Sequence, residues 1–422
     1  MKITAISLFI LTYVLLLTFP KKRAYIAIFS GAVFVALGIL PMDKVFSTVD
    51  WNVILMIAGT MGIVHLFIES RMPELLADII IEKTPNVKWA VISLALFAGI
   101  ISAFVDNVAT VLMVAPVALT IAKKLKISPV SAIIAIAVSS NLQGAATLVG
   151  DTTSILLGGY ANLNFLDFFF FKGKIGIFWV VQMGALASTL VLLYIFRKEK
   201  QPISPMAKIV VKDYFPSFLL VAMIVLLITA SFFPNMPPTI NGIICVILFI
   251  IGLMRSLFIT KDTGVISRAL GEIDYFTILL LIGLFVVVGG ITEVGVIDDI
   301  SEIFIKVSGD NIFVIYTLLV WASVFFSAFI DNIPYVATML PVVAGIAGIL
   351  NIEPYVLYFG LIIGATLGGN MTPIGASANI TALGILRKDG YEVSAKEFMK
   401  IGIPFTLVAV ITGYGLIWLL WS

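Results

Sequence analysis

The sequence predicts an all-α polytopic membrane protein: two inverted repeats, each of about five spans plus a re-entrant hairpin, with broken helices at the membrane midplane. Three observations carry this. First, 61% of the 422 residues are hydrophobic and only 12% are charged, about half the charged share of soluble domains. Second, one stretch occurs twice. FVDNVATVLMVAP at 104–116 returns as FIDNIPYVATMLP at 329–341, so Asp106, Asn107 and Pro116 answer Asp331, Asn332 and Pro341 at an offset of 225. The same offset carries Gly144, Thr147 and Gly150 onto Gly369, Thr372 and Gly375. Third, the basic residues gather in alternate loops, as an inverted second half requires.

Residues 3–19 and 24–40 are the first two spans, joined by Lys21, Lys22 and Arg23. The first is read as retained, because no small-residue cleavage site follows it. Residues 51–68 form the third span. Residues 73–83 (PELLADIIIEK) mix charge with Leu and Ile at helical spacing, the pattern of an amphipathic helix lying at the interface. Residues 89–122 are apolar for too long to be one upright span of ~20 residues, and they break at Asp106-Asn107. Their two arms either cross separately or fold as a re-entrant hairpin with Asp-Asn at its tip. Residues 132–158 break at Ser139, Ser140 and Asn141 and again over 144–154. The glycines and hydroxyls there argue for unwound backbone at membrane depth, tolerated only under protein or beside a water-filled cavity. An aromatic connector at 168–174 leads to the span 175–196.

The stretch 197–213 (RKEKQPISPMAKIVVKD) is the most polar, basic and proline-containing, and reads as the linker between halves. The order then repeats: spans at 215–233, 239–257 and 276–291, an amphipathic arm at 298–310, a hairpin at 312–349, a broken run at 355–386 and a closing span at 401–421. The division expected is a first repeat over 1–197, a linker over 198–213 and a second repeat over 214–422.

With each hairpin returning to its own side, an odd number of crossings inverts the second half. An outside N-terminus then puts 21 of the 26 Lys and Arg on the cytoplasmic side, leaving Lys2, Lys44, Lys172, Lys174 and Lys306 outside. Both termini are expected outside and the linker 197–213 in the cytoplasm, with the plasma (inner) membrane as location.

A charge at membrane depth costs roughly 2.5–3.5 kcal/mol and marks function by default. Each Asp of the repeated motif can simply cap a helix, but capping does not require the same costly pair in both halves. Inverted halves with discontinuous helices place a binding site near the midplane. Helix N-termini there suit an anion, and unwound carbonyls suit a cation. Asp106 and Asp331 are the candidate coupling groups: desolvation drives each to take a proton, or Na⁺ keeps it ionised. Asp151 is a third, standing where the second half has Ala376; it is either a ligand or the cap of the helix after it. Asn107, Asn141, Asn332, Asn370 and Asn379 offer amides. Thr110, Thr147, Thr152, Thr338, Thr372 and Ser377 offer hydroxyls, and Gly144 lets the backbone come close. Asp50 and Asp274 read as caps and Glu293 as the outer end of a span. Cys245, the one cysteine, has no partner for a disulfide, and His65, the one histidine, cannot build a metal site alone.

DNVATVLMVAPV, DNIPYVATMLPVV and GASANITALGILRKDGYEVSAKEFMKIGIP resemble the ion transporter superfamily, which includes arsenite pump membrane subunits, D-type sodium/proton antiporters, the P protein and the citrate/dicarboxylate carriers. The resemblance spans nearly the whole chain and is strongest to the P-protein and D-type antiporter branch. It implies a homodimer whose protomers each hold a scaffold and an elevator-like transport domain, from about 88–158 and 311–386. It also implies Na⁺ at Asn107 and Asn332, the hairpin-tip amides. Carboxylate carriers usually read Ser-Asn-Thr where this chain has Asp106-Asn107-Val108 and Asp331-Asn332-Ile333. Two carboxylates would repel a dicarboxylate unless protonated or cation-loaded. Gly150-Asp151-Thr152-Thr153-Ser154 departs from the branch's Gly-Asp-Pro-Pro-Asn, and Gln143 stands where Gly is common.

The function expected is secondary active transport coupled to H⁺ or Na⁺, moving a small inorganic ion or small anion, as cation/proton exchange or proton-coupled export. A Na⁺-coupled di/tricarboxylate carrier and an ion channel on the same fold are the alternatives. Nothing points to an enzyme, a bound cofactor or a nucleic-acid partner. Without a phosphate-binding loop, any ATPase would be a separate protein.

Overall fold

Long apolar runs with few interior breakers dictate helices, and the computed structural model, which describes residues 1–202, 210–233, 236–259, 261, 263–309 and 311–422, is helical almost throughout. The centre of the linker and the last residue of the arm at 298–310 lie outside the described residues. The first half holds α1 (Lys2–Thr18), α2 (Arg23–Ala36), α3 (Trp51–Glu69), α4 (Met72–Glu82), α5 (Val87–Ser102), α6 (Asn107–Leu125), α7 (Val130–Gln143), α8 (Thr152–Tyr160) and α9 (Ile177–Ile195). The second holds α10 (Phe215–Ala230), α11 (Ile240–Phe258), α12 (Tyr275–Glu293), α13 (Val296–Ser308), α14 (Ile312–Ser327), α15 (Asn332–Leu350), α16 (Tyr355–Gly368), α17 (Ser377–Lys388) and α18 (Ala395–Trp421). Short helices, Val45–Thr48 and Val265–Gly271, precede α3 and α12. The connector at 168–174 forms a two-stranded hairpin in which Phe170 pairs with Ile175.

Among the described residues, seven helices are long and apolar enough to cross a membrane, or up to nine if two sharply bent pairs, including α1 with α2, each count once. The expected break points are real. The run at 89–122 divides into α5 and α6 at Asp106, and the run at 132–158 divides into α7 and α8 around an irregular turn. Asp50 and Asp274 cap α3 and α12, accepting from the backbone N–H of Val53 and Thr277.

The helices pack in corresponding pairs. α5 lies on α7 as α14 lies on α16, and α9 meets α18. α2 pairs with α12 and α3 with α11, so each half lends helices to the other. These crossings need bare backbone: a Cβ on Gly59 would sit 2.5 Å from the Cys245 carbonyl carbon, and one on Gly283 would sit 2.3 Å from that of Ala27. α7 and α16 are buried at every position but Ser131 and Tyr355 in their first turns and form the centre of the molecule. The outer faces of α9 and α10 expose Leu186, Leu190, Phe218 and Val221, a surface suited to lipid rather than water.

Candidate functional site

Four helices begin at one place. Asn107, Thr152, Asn332 and Ser377 are the first residues of α6, α8, α15 and α17, and all four line a cavity of about 160 Å³. Its far wall comes from the C-terminal half of α3, including Met61 and His65, and from Glu272, Asp274 and Thr277 at the start of α12. A larger cavity of about 910 Å³ lies at the opposite ends of the same two helices, lined by Asp50 and Asn52 before and on α3 and by Thr292 and Glu293 of α12.

The two aspartates of the repeated motif do the same local job. Asp106 Oδ2 accepts from the N–H groups of Val108 at 2.9 Å and Ala109 at 3.1 Å, and Asp331 Oδ1 accepts from that of Ile333 at 3.1 Å. Capping by a carboxylate also offsets the positive end of each helix. Beyond the cap their surroundings differ. Asp106 lines the cavity, and among the described residues its Oδ1 accepts no hydrogen bond. Asp331 is turned away from it and pairs with Arg23 of α2, Nη1 to Oδ2 3.1 Å, each side chain only 13% exposed. Sequence symmetry therefore does not extend to the environment of the two carboxylates.

Asp151 both caps and connects. Oδ1 accepts from Thr152 N–H at 2.8 Å; Oδ2 accepts from the Thr153 hydroxyl at 2.9 Å and from Asn332 Nδ2 at 3.1 Å. The second hairpin is thereby tied to the first half. A parallel chain of amides runs through the centre. Asn107 Nδ2 donates to Asn141 Oδ1 at 2.8 Å, Asn141 Nδ2 donates to Asn370 Oδ1 at 3.1 Å, and Asn370 Nδ2 donates to the Val138 carbonyl at 2.9 Å. With the nitrogens of Asn107 and Asn332 so used, their Oδ1 atoms, which accept no hydrogen bond among the described residues, are the ones a cation would meet.

Of the sequence-predicted residues, Asp106, Asn107, Asp151, Thr152, Asn332 and Ser377 line the cavity. Asn141 and Asn370 stand behind it. Several others hold backbone. Thr147 and Thr372 donate to the carbonyls of Ala103 and Ala328, matched positions in the two halves. Thr110 donates to Asp106 O at 3.0 Å. Asn379 donates to the carbonyls of Gly369 and Thr372, both at 3.0 Å, while Ser154 does the first of these jobs in the other half by donating to Gly144 O at 2.9 Å. Thr338 is bonded to Tyr13 of α1. Sequence reasoning missed Glu272 and the cavity-lining place of Asp274 and His65. It also missed Arg23, which it counted only among the basic loop residues. His65 Nε2 is 3.6 Å from Glu69 Oε1, which also accepts from Arg268 at 2.6 Å. Among the described residues no three His, Cys, Asp or Glu side chains are grouped to hold a metal ion.

A family model described as citrate transporter matches residues 13–359. The chain belongs to that family. Its relatives include an uncharacterized transporter of Mycobacterium tuberculosis, 30% identical with 99% of this chain and 98% of the relative covered. The P protein of Homo sapiens is 26% identical over 88% of this chain and 54% of its own length. Among solved structures, the Alcanivorax borkumensis YdaH transporter superposes with a TM-score of 0.60 over 94% of this chain and 96% of that one, at 14% identity. MtrF of Neisseria gonorrhoeae, described with a class of antimetabolite efflux pumps, gives 0.56 over 96% and 83%, also at 14% identity. At those identities the likeness is one of fold. This family member is a polytopic membrane transporter.

Proposed function

We propose that this transporter is a secondary active carrier coupled to H⁺ or Na⁺, exchanging cations for protons or exporting a small ion with a proton. The observation that carries this is the charge of the cavity wall: among the described residues Asp106, Asp151, Glu272 and Asp274 contribute, and no Lys or Arg does. Acidic groups with amide oxygens beside them attract a proton or a small cation and repel a free anion. In the working cycle Asp106 and Asp151 hold the coupling ion, with the Oδ1 atoms of Asn107 and Asn332 as further ligands. The repeats invert across the membrane, placing 21 of the 26 Lys and Arg in the cytoplasm. The hairpins and broken helices, about 88–158 and 311–386, move together as an elevator, because unwound backbone then keeps its cover throughout.

A second reading, Na⁺-coupled carboxylate uptake, has one specific feature in its favour. Four helix N-termini converge on the cavity, and that of α17 carries no acidic cap, since Ala376 stands where α8 has Asp151. Proteoliposomes holding a pH-sensitive dye, challenged in turn with Na⁺, Li⁺, arsenite and citrate, separate the readings. Saturable proton movement driven by Na⁺ or Li⁺ is expected. Proton or Na⁺ flux that needs citrate, with none from the cations alone, would overturn the exchange reading.

A further inference from the structure

Four helices, α3, α8, α12 and α15, run from the small cavity to the large one, and α15 divides its lining residues between them. Asn332 and Ile333 line the small cavity, and Ala337, Leu340 and Pro341 line the large one. The turn between them is gripped from outside. Tyr13 of α1 donates to the Pro334 carbonyl at 2.9 Å and is bonded to the Thr338 hydroxyl. Arg23 of α2 holds Asp331, the cap of the same helix, while its Nε donates to the Leu16 carbonyl at 3.2 Å, so the guanidinium is fixed from both sides. Among the described residues the first hairpin has no such clasp: Asp106 faces the cavity where Asp331 faces an arginine.

We infer that Arg23 and Tyr13 form a latch that holds the second hairpin against α1 and α2, seals the small cavity from the large one, and must release for the site to change sides. The inference rests on the transporter reading, because it assigns the latch to a site with access from two faces. The latch joins helices outside the proposed moving body to a helix inside it. An ion pair at low exposure is strong enough to bias such an equilibrium, because removing one partner leaves the other charge uncompensated. It also splits the repeated motif by role: Asp106 serves the ion, and Asp331 serves the closure. Arg23 is thus a positioning residue, acting through Asp331 and never on the transported ion.

The test uses the full chain with Cys245→Ala and a reporter, Ser377→Cys, whose parent residue is exposed to the small cavity. A membrane-impermeant maleimide is applied to one face and then the other of reconstituted vesicles of known orientation. The parent is expected to label from one face. Arg23→Gln should raise labelling from the opposite face about tenfold, within the roughly 5–150-fold range of such couplings. Tyr13→Phe, which loses a hydrogen bond but no charge, should raise it about threefold. Arg23→Lys, keeping the charge without the fork, should fall between the parent and Arg23→Gln. Unchanged face preference in Arg23→Gln and Tyr13→Phe overturns the latch, as does an Arg23→Lys as altered as Arg23→Gln, which would mean packing rather than charge. If Arg23→Gln does not accumulate folded, Tyr13→Phe and Arg23→Lys decide on the same criteria. The dye assay on the parent keeps the two claims apart. Ion exchange with unchanged labelling overturns the latch alone. A labelling shift in a protein silent to every dye-assay probe supports a two-state closure and removes only the transport reading.

Discussion

The bond between Asn332 and Asp151 holds a hairpin tip of the second half to a carboxylate of the first, and its strength is measurable. Both side chains are almost fully buried, 4% exposed each. Asp151→Ala removes the cap on Thr152 N–H, about 0.5–2 kcal/mol. It also leaves Asn332 Nδ2 a buried donor without an acceptor, about 1–3 kcal/mol more. Asn332→Ala is milder, because Asp151 keeps its bonds from Thr152 and Thr153. In the double variant the Thr152 N–H is still uncapped but no Asn332 amide is stranded, so the single losses should not add. Hydrogen-bond couplings inside membrane proteins average about 0.6 kcal/mol and reach about 1.7. A charged, buried acceptor belongs at the upper end, so the coupling expected is about 1.5 kcal/mol. The assay is a double-mutant cycle on detergent-solubilised protein, with unfolding followed by circular dichroism. Additivity within about 0.3–0.5 kcal/mol would mean the pair is not coupled and the halves are joined elsewhere.

Asp106→Asn should leave the fold intact, since its amide oxygen can still cap α6, and should lower dye-reported exchange by about a hundredfold, the loss of ~2.7 kcal/mol of ion stabilisation; exchange at the parent rate across pH 6–8 would make Asp106 structural. Gly150→Ala and Gly375→Ala should each cost roughly 1–3 kcal/mol in the same unfolding assay, because the added Cβ would meet backbone oxygens only, at 2.8 Å from Gly144 O and 2.6 Å from Gly369 O. A cysteine replacing Lys200 should react with impermeant reagent only after the cytoplasmic face is opened; labelling of intact cells would reverse the orientation.

What was legible in the sequence is what repeats or what is costly. The offset of 225 exposed both Asp-Asn breaks and both glycine turns, because unwound backbone needs the same small residues wherever it occurs. Asp50 and Asp274 were readable as caps, since a carboxylate before an apolar run has an N–H to accept from. The site itself was only half legible. Asp106, Asp151 and the amides announced themselves by being polar in apolar runs, but Glu272 and His65 reach the cavity only through the packing of α3 and α12, which no local pattern encodes. The different fates of Asp106 and Asp331 were hidden for the same reason. Arg23 sits among three consecutive basic residues, where charge at a loop is expected, and only tertiary contact reveals that one of the three is turned inward. Thr110, Thr147 and Thr372 show the other ambiguity: a hydroxyl in an unwound region is as useful to an orphan carbonyl as to a ligand, and each of these donates to one.

The exchange of helices between halves sets a timetable. α2 has its glycine-dependent partner in α12, and the 239 positions from Ala36 to Tyr275 must be made before the two can meet. At ~5–20 residues per second that is roughly 10–50 s of synthesis. Throughout it the face of α2 that carries Gly31 waits without α12, its partner in the finished fold. In that interval α5 can already pack on α7, but α2 and α3 still lack their partners from the second half, and quality control has that time in which to find the unfinished chain.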